Sequence, residues 1–213
     1  MKDAELVSLV GYHRVIAVVR AGSAESAFRA AEAAVLGGIK LIEVEVRTPG
    51  SFRVIADLCH SCGDRAVIGA ASVSDHDQVD RAIKSGAQFI SMPHTSPALI
   101  ESCRQHRISP IVGAFTPTEI ASARAMAVPL VMIFPAIMAG GPEYVEAITT
   151  RFSDLRVGAE GGVAPENVVE FFEAGAFVVA MGRRLFTETD LQNENYDAIT
   201  ERSRGLLRLA GVV

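Results

Sequence analysis

The chain predicts an α/β fold, a single (β/α)8 barrel (TIM barrel) with an extra helix ahead of its first strand. Two observations carry that expectation. Eight short runs rich in β-branched residues alternate with longer runs of helical period through the 213 residues, and parallel strands joined by helices are what such alternation builds. Several helical runs stop at glycine just ahead of the next apolar run, at Gly37-Gly38, Gly86 and Gly175. Helix, glycine cap and buried strand follow one another there. No linker or low-complexity stretch interrupts the alternation, so residues 1–213 read as one domain. A doubly wound open sheet, the competing architecture, usually has fewer repeats.

Lys2–Tyr12 is expected as the extra helix, covering the bottom of the barrel. Val15–Val19 is the first strand and Glu25–Leu36 its helix. Leu41–Val46 follows, then helix Ser51–Cys59. Ala66–Ile68 leads to helix Gln78–Lys84, which Ser74, Asp75 or Asp77 can cap by accepting from free N–H groups. Phe89–Ser91 leads to helix Pro97–Gln105, and Pro110–Val112 to helix Thr118–Met126. Leu130–Phe134 and Glu143–Arg151 form the sixth unit. Arg156–Val157 and Pro165–Glu173 form the seventh, Phe177–Ala180 is the last strand, and Asn195–Leu209 closes the barrel. Ser96-Pro97, Thr116-Pro117 and Ala164-Pro165 each place Pro in a first helical turn, where its missing N–H costs nothing.

Composition narrows the partners. Nearly half the residues are hydrophobic (49%) and the formal net charge is −5. With no basic run, nucleic acid is excluded as an expected partner. Residues 125–142 carry no charge, but Pro129, Pro135, Pro142 and Gly140-Gly141 break them into strand, turn and helix start, so no membrane span is expected. Cys59, Cys62 and Cys103 are an odd, small set, and Met1–Val10 is mixed and acidic, so a reducing cytoplasm is expected. Of the 20 basic residues only Lys2, Lys40 and Lys84 are lysine. Arginine suits carboxylate and phosphate recognition but forms no imine at neutral pH.

In a barrel of this kind, functional side chains gather where strands end and their following loops begin. Those positions are Arg20, Arg47-Thr48, Ser72, His94, Thr116, Pro135-Ala136, Glu160-Gly161-Gly162 and Gly182-Arg183-Arg184. None of the three lysines falls among them. Ile42-Glu43-Val44-Glu45-Val46-Arg47 alternates strictly, so Glu43, Glu45 and Arg47 are expected to share the lumen face. They can form an internal Glu–Arg network filling the barrel. They can equally supply a general acid/base carboxylate with an arginine to fix an anionic substrate. Gly161-Gly162 and Gly182-Arg183 sit in the seventh and eighth loops, where such barrels hold phosphate on backbone N–H groups. Cys59-His60-Ser61-Cys62 lies at a helix end on the bottom face and is read as structural. No cofactor is expected. A divalent metal on Asp75-His76-Asp77 or His94 is the alternative, since both fall on mouth-side loops.

Several stretches then occur in a characteristic order: Val15-Ile16-Ala17-Val18-Val19-Arg20, Gly37-Gly38-Ile39, Ile42-Glu43-Val44 with Arg47-Thr48, and Ile68-Gly69-Ala70. Ser85-Gly86-Ala87-Gln88-Phe89, Phe134-Pro135-Ala136, Gly140-Gly141, Gly161-Gly162-Val163 and Pro165-Glu166-Asn167 follow. On these residues the chain resembles the 2-keto-3-deoxy-6-phosphogluconate / 4-hydroxy-2-oxoglutarate aldolases from about Arg14 to Phe186. The resemblance implies a homotrimeric barrel and a lyase that cleaves 4-hydroxy-2-keto acids to pyruvate and an aldehyde, with a lysine imine as electron sink. It implies proton transfer by Glu43, substrate anions held by Arg47 and neighbouring hydroxyls, Thr116 as a matching threonine, and phosphate in the last two βα loops.

The departures from that family cluster at the same place. Met132 occupies the position of the imine-forming lysine. Ile137 follows Phe134-Pro135-Ala136 where a polar residue is often seen. Ala71-Ser72 replaces Gly-Thr, Glu160 replaces the threonine before Gly161-Gly162, and Arg183 replaces a serine. Catalytic candidates are thus Glu43, Arg47 and Thr116, with Met132 as the altered nucleophile position. Arg20, Ser72, Glu160, Gly161, Gly162, Gly182 and Arg183 are the ligand- or phosphate-binding candidates. An imine needs an amine, which methionine lacks. Three functions follow as expectations: lyase-like chemistry on a 2-keto acid without an imine, a non-catalytic binding or regulatory protein for an anionic metabolite, or an altered phosphosugar enzyme. The expected ligand is a small anionic keto acid or sugar phosphate.

Overall fold

The computed structural model describes residues 1–212. Eight parallel strands close in chain order: β1 (Val15–Val19), β2 (Leu41–Glu45), β3 (Val67–Ala71), β4 (Phe89–Met92), β5 (Ser109–Ala114), β6 (Leu130–Ile133), β7 (Val157–Glu160) and β8 (Val179–Met181). β8 pairs back onto β1 with Val179 opposite Val15. The helices are α1 (Asp3–His13), α2 (Ala24–Leu36), α3 (Ser51–Cys62), α4 (His76–Lys84), α5 (Pro97–Gln105), α6 (Pro117–Ala125), α7 (Ala136–Ala139), α8 (Gly141–Arg151), α9 (Val168–Glu173), α10 (Glu188–Gln192) and α11 (Tyr196–Leu209). This is the expected (β/α)8 barrel with its extra N-terminal helix.

The alternation of each strand sorts side chains into two separate cores. Val15, Ala17, Val19, Ile42 and Val44 point outward and pack with helix residues such as Ala27, Ala30, Val54 and Ile55. Ile16, Val18, Leu41, Phe89, Ile111, Leu130, Met132 and Val178 fill the lumen. Leu6 and Val10 of α1 belong to the lumen cluster, so α1 plugs the end at which the strands begin. The Ser109 hydroxyl at the start of β5 donates to the Met1 carbonyl at 3.1 Å, tying the chain start to that floor. Each such fully buried Leu, Ile or Phe contributes about 1.5–3 kcal/mol. Ligands are therefore left the opposite end, where the strands finish. On the outside, α11 lies close to Gly37 at the end of α2, where any Cβ would meet the Ser203 Cβ at 2.4 Å.

The structure differs from the expected boundaries in informative ways. β2 ends at Glu45, one residue earlier than expected, and Arg47 lies in the turn that follows. The strict alternation of apolar and charged residues continues past the last ladder bond, so periodicity alone overran the strand. β7 begins at Val157 and runs to Glu160, although Gly158-Ala159 has the small residues of a loop. Gly158 is small because a lumen side chain from the neighbouring strand occupies its space. The helix expected from Pro165 begins at Val168. α7 and α10, of four and five residues, were not anticipated.

Candidate active site

The mouth is built around three glutamates. Glu43 and Glu45 sit on the lumen face of β2, 2% and 5% exposed, while Ile42 and Val44 between them face the helices. Glu45 lies at the rim and is held by two arginines. The Arg20 Nε, just past β1, is 3.4 Å from Glu45 Oε2, and the Arg47 guanidinium folds back from its turn to donate to Oε1. Both arginines keep about half or more of their side-chain surface in solvent, 51% and 66%. An ion pair there is screened on one side and retains donors for another anion. Arg47 therefore reaches the rim from the loop, not from the lumen face of the strand.

Glu43 lies deeper, level with Val18 on β1 and Gly69 on β3. Burial pushes its carboxyl well above the usual carboxylate range, and the charge of Glu160 pushes it further. A hydrogen bond from Ser91 of β4 acts in the opposite direction. Glu160 ends β7 and is pushed up to about 7, first by burial and then by the charge of Glu45. The site thus pairs one carboxylate held by guanidinium groups with two carboxyls that burial and neighbouring negative charge raise above the usual range. Acid and base functions can coexist in such an arrangement.

Met132 occupies the lumen face of β6, opposite Gly113 on β5 and Gly158 on β7, and is 2% exposed. A Cβ on Gly158 would stand 2.4 Å from Met132 Sδ and 2.7 Å from Val178 Cγ1. The thioether therefore lies across the glycine and fills the space a lumen side chain there would take. The lysines lie elsewhere, as the sequence implied. Lys2 precedes α1, Lys40 precedes β2, where its charge adds to burial in lowering the pKa of His13 at the end of α1, and Lys84 ends α4. All three belong to the floor side.

The last two loops carry the backbone features of the expected anion site. Gly161 and Gly162 have φ of 85° and 92°, a left-handed pair that side-chain-bearing residues adopt at a cost. Their surroundings are apolar. The Gly161 carbonyl accepts from the Ile137 N–H, and a Cβ on Gly162 would meet the Ile137 side chain at 2.4 Å. Past β8, the Gly182 carbonyl accepts from the Leu185 and Phe186 N–H groups, forming a tight turn that carries Arg183 and Arg184 outward. Among the described residues neither arginine has a carboxylate within ion-pair distance.

The other candidates are placed as follows. Ser72 follows β3 in a left-handed conformation, φ 61°, a strained position for a residue with a side chain. Thr116 is exposed and caps α6. Its hydroxyl accepts from the Glu119 N–H and donates to the Glu119 carboxylate, in a reciprocal capping box. His94 is exposed after β4, and Asp75 caps α4 by accepting from the Gln78 N–H. Among the described residues no group of three or more His, Cys, Asp or Glu is placed to hold a metal ion. Cys59 donates to the Gly86 carbonyl on the floor side, and Cys62 is buried nearby.

Three features escaped the sequence. Ser91 was read only as a strand residue, although its parity with Phe89 puts it in the lumen. Ile137 was noted as a departure, without its position over Gly162. Glu160 was assigned to an anion site, whereas it lies within electrostatic reach of both lumen glutamates. β7 runs on past Val157 through Gly158 to Glu160, and that parity puts Glu160 on the lumen face.

Comparison with known proteins agrees with this architecture. The family model for KDPG and KHG aldolases matches residues 7–202. The 2-dehydro-3-deoxy-phosphogluconate aldolase of Treponema pallidum (strain Nichols) is 28% identical over 200 residues, covering 94% of this chain and 95% of the relative. The 2-dehydro-3-deoxy-6-phosphogalactonate aldolase of Escherichia coli (strain K12) is 30% identical over 173 residues, covering 81% and 84%. The crystal structure of KDPG aldolase from Legionella pneumophila, with pyruvate captured as a covalent carbinolamine intermediate, superposes with a TM-score of 0.87 at 27% identity. It covers 94% of this chain and 97% of that one. Among the described residues no helix is long and apolar enough to cross a membrane. With its closed barrel, its lumen glutamates and a match over nearly its whole length, the chain belongs to the KDPG and KHG aldolase family.

Proposed function

We propose that this barrel binds a small 2-keto acid and moves a proton at the carbon beside its carbonyl, without an imine intermediate. The carrying observation is the lumen itself. Glu43 places a buried carboxyl in the lumen, raised above the usual range by burial, while Met132 lies buried on the strand where the family resemblance puts the imine-forming amine. In this reading Arg20 and Arg47 hold the substrate carboxylate at the rim, sharing their donors with Glu45. Glu43 in its ionised form withdraws the C3 proton and returns it. Ser72, Gly161, Gly162, Gly182 and Arg183 bound the far side of the ligand, and Thr116 stabilises the rim through α6.

The relatives named above are aldolases for phosphorylated 2-keto-3-deoxy sugar acids, which supports a keto-acid ligand. The left-handed Gly161-Gly162 pair and the unpaired Arg183 support a phosphorylated one, the altered phosphosugar alternative. The binding-only reading has its own support: Arg20 and Arg47 are already engaged by Glu45. A resident cofactor is not part of the proposal. The homotrimer remains a proposal, supported by the exposed apolar side chains Phe115, Phe134, Ile137 and Met138 in the segments that follow β5 and β6. A cytoplasmic setting is likewise proposed, from three free cysteines.

The deciding experiment follows exchange of the pyruvate methyl protons for deuterium by NMR. Exchange catalysed by the protein and lost in Glu43→Gln supports the proposal. Retained binding of pyruvate with no exchange supports the binding-only reading. Borohydride trapping of pyruvate on any lysine overturns the absence of an imine, and loss of exchange on chelation would bring a metal into the site.

A further inference from the structure

The proton acceptor proposed above has no obvious partner. If Glu43 withdraws a proton from C3 of a keto acid, negative charge builds on the C2 oxygen. An iminium nitrogen would normally absorb those electrons, and Met132 provides none. A second group must then supply a proton or positive charge at that oxygen. Arg20 and Arg47 are at the rim on Glu45, and Ser91 is tied to Glu43.

Glu160 meets the requirement. Gly158, two residues earlier on β7, faces the lumen, since a Cβ there would collide with Met132 and Val178 of the lumen cluster. Glu160 therefore shares that face, about 6–7 Å nearer the mouth. It ends the strand adjacent to β6, beside the place Met132 occupies. Glu43 stands on β2, separated from β7 by β1 and β8. The lumen residues of those strands, Val18 and Ala180, carry no polar atom. The two carboxyls consequently sense each other across the lumen, and the charge of Glu160 bears directly on Glu43. The other charged groups of these elements are Glu45 on β2, Arg20 after β1, Arg47 after β2, and Arg183 and Arg184 after β8. Of these, Glu45 adds to the negative field on Glu160.

We propose that Glu160 is the acid partner of Glu43: its carboxyl, on the lumen face of β7, gives its proton to the C2 oxygen of a bound 2-keto acid while Glu43, ionised, takes the proton from C3. Like charges in one buried site cannot both form cheaply, so one group remains an acid while the other is a base. The step balances. The C3–H bond breaks and its proton goes to the Glu43 carboxylate. The electron pair forms the C2=C3 bond, the C2=O π pair moves to oxygen, and the Glu160 proton forms the new O–H bond. Glu43 ends protonated and Glu160 ionised, and the reverse step returns the ketone. This assignment rests on the keto-acid reading and adds a second catalytic residue to it.

The test compares wild type, Glu43→Gln, Glu160→Gln and Glu160→Asp in pyruvate deuterium exchange from pH 5 to 9. Wild type is expected to show a bell-shaped profile, falling on the alkaline side as the pair loses its last proton. Glu160→Gln is expected to lower exchange by about 10²-fold or more and to abolish the alkaline fall, while Glu160→Asp restores both in part. Exchange that is lost in Glu43→Gln but unchanged in rate and profile in Glu160→Gln overturns the role of Glu160 and leaves the keto-acid reading standing. No exchange by wild type overturns both. Infrared difference spectroscopy at neutral pH gives an independent readout that requires no substrate. A protonated-carboxyl band should be lost or reduced in Glu160→Gln, and a band indifferent to that substitution overturns Glu160 as the acid.

Discussion

Met132 Sδ lies over Gly158, so close that a Cβ added to the glycine would stand 2.4 Å from the sulfur. One strand thus yields its side chain so that its neighbour can place a large one in the lumen. Gly158→Ala should destabilise the protein by about 1–3 kcal/mol through overpacking. Because the same space is contested, Met132→Ala should relieve much of that cost. The double variant is expected to be markedly less destabilised than the sum of the two single ones, read from urea midpoints in a double-mutant cycle. Additive effects would mean that Met132 does not occupy that space.

Met132→Lys places an amine where the thioether now sits, near the raised carboxyls of Glu43 and Glu160. An imine forms only if an amine reaches the bound carbonyl. Borohydride with pyruvate is therefore expected to trap a covalent adduct on the variant and none on wild type, checked by intact mass. A variant that folds and binds pyruvate but is never trapped would show that the carbonyl does not approach this strand.

Much of this arrangement was legible in the sequence because period-two alternation maps directly onto a barrel wall. Glu43 and Glu45 could be assigned to the lumen from Ile42 and Val44 alone, and the absence of a mouth-side lysine followed from three positions. What stayed hidden depended on neighbouring strands. Gly158 looks like a loop glycine until Met132 is known to lie beside it, and that error shortened β7 and hid the face of Glu160. Arg47 continues the alternation by residue type but leaves the strand, because the ladder ends at Glu45. Thr116 is a catalytic candidate by resemblance alone, and Glu119 three residues later is the companion that marks it as half of a capping box.

The raised carboxyls make stability depend on pH in a defined direction. Glu160 holds its proton up to about pH 7 when folded, whereas an ordinary glutamate ionises near 4.5. Below 4.5 it is protonated in both states and costs nothing. From 4.5 to 7 the unfolded chain ionises while the folded one resists, so folding stability falls as pH rises, and above 7 the loss is complete. Glu43, raised in the same sense, adds to the fall. Glu119, held low by hydrogen bonds from the Thr116 and Phe115 N–H groups, acts below 4.5 and outside this window, whereas His13, lowered from 6.5 by burial and the Lys40 charge, opposes the fall equally in wild type and in the Glu160 variant. Glu160→Gln should therefore melt higher than wild type at pH 8 and vary less between pH 5 and 8. Identical pH dependence in calorimetry would contradict the raised carboxyl.

Thr116 offers a separation of structural from chemical roles. Its hydroxyl both accepts the Glu119 N–H and donates to the Glu119 carboxylate, which in turn accepts the Thr116 and Phe115 N–H groups. A side chain engaged in that box has little left to offer a ligand. Thr116→Ala should cost about 0.5–2 kcal/mol of stability, and Thr116→Ser should restore most of it, since serine caps equally well. Any exchange activity should survive in the alanine variant within a few-fold at a temperature where it remains folded. A loss of exchange much larger than that, with the fold intact by circular dichroism, would move Thr116 from the cap of α6 into contact with the substrate.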